Sequence, residues 1–123
     1  ENKEKFDIIL NLEIIEHVDD VSLYIKSCHN LLKKNGLMFT ATLNRSFMSY
    51  LKAIIGAEYI LKWLPIGTHD WNKFLKPEEL QKLLQNEKFT TLDIKGLEFN
   101  PILNKWKKSD NLSVNYIITS SKN

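Results

Sequence analysis

Phe6 to Leu12, FDIILNL, is a short apolar run rich in isoleucine with charged residues on both sides, the pattern of a strand buried on both faces inside a parallel sheet. The period then changes. Val21, Tyr24, Ile25, Cys28, Leu31 and Leu32 recur at helical spacing, and Asp19 and Asp20 precede them as an N-cap and a favourable charge for the positive end of the helix dipole. Lys33 and Lys34 suit the opposite end, and Asn35-Gly36 supplies the left-handed residue that stops a helix. A second strand is predicted at Leu37 to Leu43. Strand, helix and strand joined this closely make a right-handed crossover of a parallel sheet.

Further on, Pro77 at a first helical position is followed by Glu78 and Glu79, and Leu80, Leu83 and Leu84 form one apolar side, which predicts another helix. Two more strands are predicted near Phe89 to Leu97 and Ser113 to Ser120, joined by a polar, lysine-bearing loop that contains Pro101 and Trp106. The fold class is therefore α/β. Phe47 to Ile66 breaks this alternation. Its apolar side chains surround a helical axis almost completely, interrupted by Ser49, Lys52, Glu58 and Lys62. With charges and Gly56 inside it, it makes a poor spanning helix, so it either packs under other elements or lies against a membrane interface.

Composition narrows the function classes. A chain of 123 residues with 43% apolar and 26% charged residues fits one domain around a single core. The charged start Glu1 to Lys5 and the short run after it do not form a secretion signal, so a cytoplasmic or equally reducing compartment is expected. The net charge of +2, from 17 basic and 15 acidic residues that are interspersed, argues against a nucleic-acid partner. The lone Cys28 cannot form an internal disulfide and falls on the helix's apolar stripe, which points to buried packing. Of the 17 basic residues only Arg45 is an arginine, and lysine cannot reproduce its planar fork.

Several residues could carry chemistry. Glu13, Glu16 and His17 follow the carboxyl end of the first strand, where open α/β sheets bind ligands. If the turn there is helical, spacings of three and four put all three on one face. They then make a divalent-metal site, or else the acidic pair only charges the following helix and His17 bonds locally. Asn44 and Arg45, past the second strand, could orient a ring or an acidic head group or simply form a surface loop. His69 and Asp70 could serve as a base or substrate clamp, or as a structural hydrogen-bonded pair.

Six segments carry a family resemblance: FDIILNLEIIEHVDD from Phe6, GLMFTATLNR from Gly36, GAEYILKWLPIGTHDW from Gly56, KPEEL from Lys76, GLEFNP from Gly96 and VNY from Val114. In this order they resemble the ubiquinone-biosynthesis O-methyltransferases, class I enzymes dependent on S-adenosylmethionine that methylate hydroxyls of a polyprenylated aromatic ring. The resemblance implies a Rossmann-like, doubly wound sheet of order 3-2-1-4-5-7-6, of which this chain is the C-terminal half. Its strands would be 4-5-7-6 with flanking helices, the last strand antiparallel. The cofactor's Gly-rich turn lies outside the chain, since Gly36, Gly56, Gly67 and Gly96 are widely spaced.

The resemblance also implies roles for particular residues. Leu12 would touch the cofactor's methionine region, mostly through backbone. Glu13, Glu16 and His17 would hold a magnesium-like ion, which lowers the pKa of a chelated catechol hydroxyl and aligns its oxygen with the methyl group. Residues 46–67 would be a helical lid, with Phe47 to Ile66 contacting the membrane so that a polyprenyl tail reaches the site without leaving lipid, each methylene being worth about 0.8 kcal/mol. The location implied is peripheral on the inner membrane face, or the matrix side in a mitochondrion. Phe6 to Leu12 would then be an edge strand with bare apolar faces, expected to associate with a second copy or with a separate N-terminal half. A catalytically inactive methyltransferase remnant that binds membrane or protein is the alternative.

Overall fold

A computed structural model describes residues 4–46, 62, 71–100 and 102–123. Among the described residues, β1 Phe6–Leu12, β2 Leu32–Leu43, β3 Phe89–Asn100, β4 Lys105–Ser109 and β5 Asn115–Lys122 form one sheet in the order β1-β2-β5-β3-β4. β1 and β2 are parallel, and β5 runs antiparallel between β2 and β3. Two helices, α1 Val21–Leu31 and α2 Pro77–Asn86, pack on the sheet and touch each other.

The β1–α1–β2 unit forms in the order and with the parallel pairing that the pattern predicts. Asp20 caps α1 by accepting a hydrogen bond from Leu23 N at 3.0 Å, and Ile25, Cys28 and Leu32 are buried with Val21 and Tyr24 packed beside them. Asn35 is left-handed, φ 66°, but it does not end the helix: α1 stops at Leu31, and β2 begins at Leu32 rather than at Leu37. Around Asn35 the chain turns back so tightly that pairing with β1 jumps from Phe6↔Leu32 to Ile8↔Leu37. A Cβ on Gly36 would meet the Lys33 carbonyl oxygen at 2.8 Å, so this return needs glycine. The carbonyl end of α1 is satisfied by a different lysine from those expected. Lys122 Nζ donates to the carbonyl oxygens of His29 at 2.7 Å and Leu32 at 2.9 Å, while Lys33 faces Asp7 at 3.5 Å in solvent.

Helix α2 also begins as expected. Lys76 N donates to Glu79 Oε1 at 2.8 Å, which satisfies a donor left over at the helix start. Leu80 and Leu84 are buried and Leu83 packs at the margin. They meet one face of the sheet, which the register Ile9↔Met38, Asn11↔Thr40, Thr40↔Ile118 and Thr42↔Tyr116 defines. Tyr116 is fully buried there and donates its hydroxyl to the Leu75 carbonyl oxygen at 2.7 Å. Cys28 is likewise buried and free of any disulfide, and burial pushes its thiol pKa up, so packing is its role.

Three expectations need correction. β1 is not buried on both faces: Asn11 is buried, but Phe6 is 45% exposed, Ile8 54%, Leu10 58% and Leu12 56%. Only the face toward α1 is covered among the described residues, and β1 is an edge of the sheet with bare apolar side chains, as the family resemblance implied. β3 runs past its expected end to Asn100, and the central strand β5 is displaced by two residues from the expected Ser113 to Ser120, covering Asn115–Lys122. The lysine-bearing loop contains a strand, β4, whose residues Lys105 to Lys108 are all exposed. Buried on neither side, it shows no apolar alternation from which to predict it.

Candidate functional site

β3 runs parallel to β1 and β2, so their carboxyl ends share one edge of the molecule. Leu12 closes β1, and Glu13 N continues its ladder by donating to the Ala41 carbonyl oxygen at 2.8 Å. Glu13 then turns left-handed, φ 57°. A single 3-10 turn, Ile15–His17, follows, held by His17 N donating to the Ile14 carbonyl oxygen at 2.9 Å. Beneath β1, Tyr24 donates its hydroxyl to Asn11 Oδ1 at 2.7 Å and Asn11 Nδ2 approaches Cys28 Sγ at 3.9 Å. These contacts keep a buried amide satisfied.

This backbone separates the three residues expected to hold a metal. Glu13 lies before the helical turn and is itself left-handed, so the helical spacing that would put it on one face with Glu16 and His17 is not realised. Glu16 is buried and accepts a hydrogen bond from Thr42 Oγ1 at 2.6 Å, whereas Glu13 and His17 are exposed. Among the described residues no group of three His, Cys, Asp or Glu side chains could hold a metal ion. The expected chelating set does not fit the geometry, because the turn is too short and its middle carboxylate is already used.

Asn44 and Arg45 sit at the end of β2 and fasten it to its surroundings. Asn44 Nδ2 donates to the Leu112 carbonyl oxygen at 2.8 Å, and Asn44 N to that of Val114 at 2.7 Å. The Arg45 guanidinium donates to Glu79 Oε2 at 2.8 Å and to the Phe74 carbonyl oxygen at 3.2 Å. Both side chains thus tie the site's rim to α2 and to the start of β5. The Lys76 backbone N–H first, then the Arg45 contact, hold the Glu79 carboxyl below its usual range. Burial, and then the nearby Glu79 and Glu16 carboxylates, raise the Tyr116 hydroxyl far above its ordinary value. His69, Asp70 and the stretch Phe47 to Ile66, Lys62 excepted, lie outside the described residues.

At the carboxyl ends of β1, β2 and β3 a cavity of about 370 Å³ opens, lined in part by Leu12, Glu13, Thr42, Leu97, Trp106 and Asn115. The structure therefore brings Leu12 and Glu13 together at one concavity. Leu97, Trp106 and Asn115 were not expected at a site. Asn115 carries no signal in the sequence, but a tryptophan among lysines just beyond a strand's carboxyl end, Trp106, is one that could have been read.

Residues 1–94 match the family model described as a methyltransferase domain. The chain belongs to the methyltransferase domain family. Curated relatives agree: it is 54% identical over 122 residues to the ubiquinone biosynthesis O-methyltransferase of Pelagibacter ubique, covering 99% of this chain and 51% of that protein. It is 55% identical to the one from Bartonella bacilliformis, covering 94% and 46%. The chain thus spans about half the length of the curated relatives it matches. Solved methyltransferases share the domain's fold: a SAM-dependent methyltransferase from Thermotoga maritima superposes with TM-score 0.67 at 21% identity, covering 98% of this chain and 57% of that one. The plantazolicin methyltransferase superposes at 0.70 with 14% identity, covering 99% and 55%. The order β1-β2-β5-β3 is the 4-5-7-6 arrangement expected of the C-terminal half of this methyltransferase domain, with the fifth strand, β4, added outside it.

Proposed function

We propose that this chain forms the acceptor-side half of an S-adenosylmethionine-dependent O-methyltransferase acting on a phenolic or catechol hydroxyl of a polyprenylated ubiquinone precursor. The identity of 54% with the Pelagibacter ubique ubiquinone biosynthesis O-methyltransferase over 122 residues carries this reading. The position of the cavity, at the carboxyl ends where open α/β sheets bind ligands, supports it. S-adenosylmethionine, when bound, supplies the methyl group. Leu12 offers its methionine region an apolar edge on the cavity wall, and the grip on its ribose and carboxyl end falls to a Gly-rich turn outside this chain. The acceptor ring would lie against Leu97 and Trp106. Methyl transfer to oxygen needs an in-line approach, so the rim that Asn44 and Arg45 brace must not move. His69 and Asp70 are proposed to take up or orient the phenolic proton. No magnesium enters this scheme, because Glu13, Glu16 and His17 do not form a chelating set here.

Phe47 to Ile66 is proposed as a lid that meets the membrane, which would place the protein peripherally on the inner membrane face. No helix among the described residues is long and apolar enough to cross a membrane. The bare edge of β1 is proposed to pair with a further strand, from the remaining half of a longer methyltransferase or from a second copy. The exposed face of β1 also favours a second reading, a remnant that binds without catalysing.

The test is methyl transfer to a prenylated catechol, measured with this chain alone and mixed with the half of the Pelagibacter ubique relative that it does not match. Activity is expected only in the mixture. Binding of S-adenosylhomocysteine by the mixture without turnover would favour the remnant and count against the enzyme.

A further inference from the structure

The turn between β3 and β4 and the strand after it carry an unusual surface. Ile102 is 91% exposed, Leu103 63% and Trp106 59%, and Lys105, Lys107 and Lys108 are exposed around them. Solvated turns are built from Gly, Asn, Asp, Pro and Ser. Asn100, Pro101 and Asn104 are such residues, Asn104 left-handed at φ 52°, but an aliphatic pair is set among them. The stem pairs from Asn100↔Lys105 to Gly96↔Ser109, and the pairs Leu97↔Lys108 and Phe99↔Trp106 put Trp106 on the same sheet face as Leu97. Both residues line the cavity. The nearest acidic residue beyond the strand, Asp110, is paired with Lys95 at 3.0 Å, and Glu98 stands opposite Lys107 in the register.

We infer that the β3–β4 hairpin docks the chain on an anionic lipid surface, with Ile102 and Leu103 entering the acyl boundary and the lysines meeting lipid phosphates. The sequence of chemistries from tip to stem matches that of a bilayer interface: hydrocarbon at the apolar pair, then an amphipathic indole and cationic heads on flexible stems. A second copy fits worse. β4 is an edge strand, and pairing two KWKKS edges would bring lysine against lysine. Docking here would turn the cavity mouth, with Trp106 in its wall, toward the membrane. That last step rests on the proposed polyprenylated acceptor, whereas the docking does not.

The experiment is flotation of the full 123-residue chain with phosphatidylcholine vesicles, with and without phosphatidylglycerol, combined with hydrogen exchange. Binding is expected only with the anionic lipid, with slowed exchange at the amides of residues 102–108. The double variant Ile102→Ser, Leu103→Ser should lose at least about ten-fold in vesicle affinity. Each of Lys105→Gln, Lys107→Gln and Lys108→Gln should lose about five-fold. An unchanged melting temperature shows that these exposed substitutions leave the fold intact. Four results would overturn the inference: no flotation, equal flotation of the variants, equal affinity for pure phosphatidylcholine, or protection confined to other residues. Protection of the same amides on self-association without vesicles would assign the hairpin to a second copy and overturn it as well. None of these outcomes depends on methyl transfer, and the hairpin variants and the protected amides distinguish this surface from the proposed membrane contact of Phe47 to Ile66.

Discussion

The two faces of the sheet come from the same strands, and along β1 the second ends in a state opposite to the first. On one, Met38, Tyr116 and Ile118 are fully buried with Ile25, Leu80 and Leu84 against them. On the other, Ile8, Leu10 and Leu12 are each more than half exposed. Because strand side chains alternate with period two, each face needs its own cover. Helices α1 and α2 both lie on the first face. Ile8, Leu10 and Leu12 stay exposed on the second face, and among the described residues the outer edge of β1 has no strand beside it.

The contrast can be broken most directly by truncating one residue on each face. Leu80→Ala should cost about 2–5 kcal/mol by leaving a cavity in the core, while Leu10→Ala should stay within about 0.5 kcal/mol. Urea midpoints measure both, and equal losses would abolish the difference between the faces. Thr42→Val should cost about 1–3 kcal/mol, because it strips the buried Glu16 carboxylate of its donor. The same midpoint, compared with Thr42→Ser, separates the lost hydrogen bond from lost packing. Asp20→Ala should remove about 1 kcal/mol through the cap of α1, read from the thermal transition.

The smallest effect concerns pH. Burial, and then the charge of Lys122, lower the His29 pKa. Its Nε2 is buried without a hydrogen-bond partner, and its ring meets Phe89 edge-on with centroids 5.1 Å apart. The unfolded chain therefore binds this proton more readily. Stability should be full above about pH 6.5 and fall as the pH drops through the lowered folded value. Melting curves between neutral and mildly acid pH should show this slope, and His29→Gln should flatten it.

The sequence revealed most where one pattern served one environment. The α1 and α2 stripes, the Asp20 cap, the left-handed Asn35 and the parallel β1–β2 pair all follow from local chemistry. The apolar run of β1 does not by itself say whether both faces are covered, so its local pattern implied burial, whereas the bare edge followed from the family resemblance. β4 escaped because exposed strands have no hydrophobic period. The one-face reading of Glu13, Glu16 and His17 assumes a helical turn from Glu13 onward, whereas Glu13 is left-handed and the turn begins at Ile15. Leu12 and Glu13 were rightly placed together at the sheet's carboxyl edge. Trp106 and Leu97 come into the cavity wall only through long-range strand pairing, to which a local pattern is blind. Arg45 stood out as the lone arginine, but its fork holds Glu79 and the Phe74 carbonyl.

Calorimetric titration of this chain with the unmatched half of the Pelagibacter ubique relative, at several temperatures, bears most directly on the uncovered face. Association should show a clearly negative heat-capacity change, the mark of apolar burial, and Leu10→Ser should diminish it while leaving the isolated chain as stable as before. Absence of binding, or binding with a heat capacity indifferent to Leu10→Ser, would contradict the claim that the open face of the sheet is where this fold is completed.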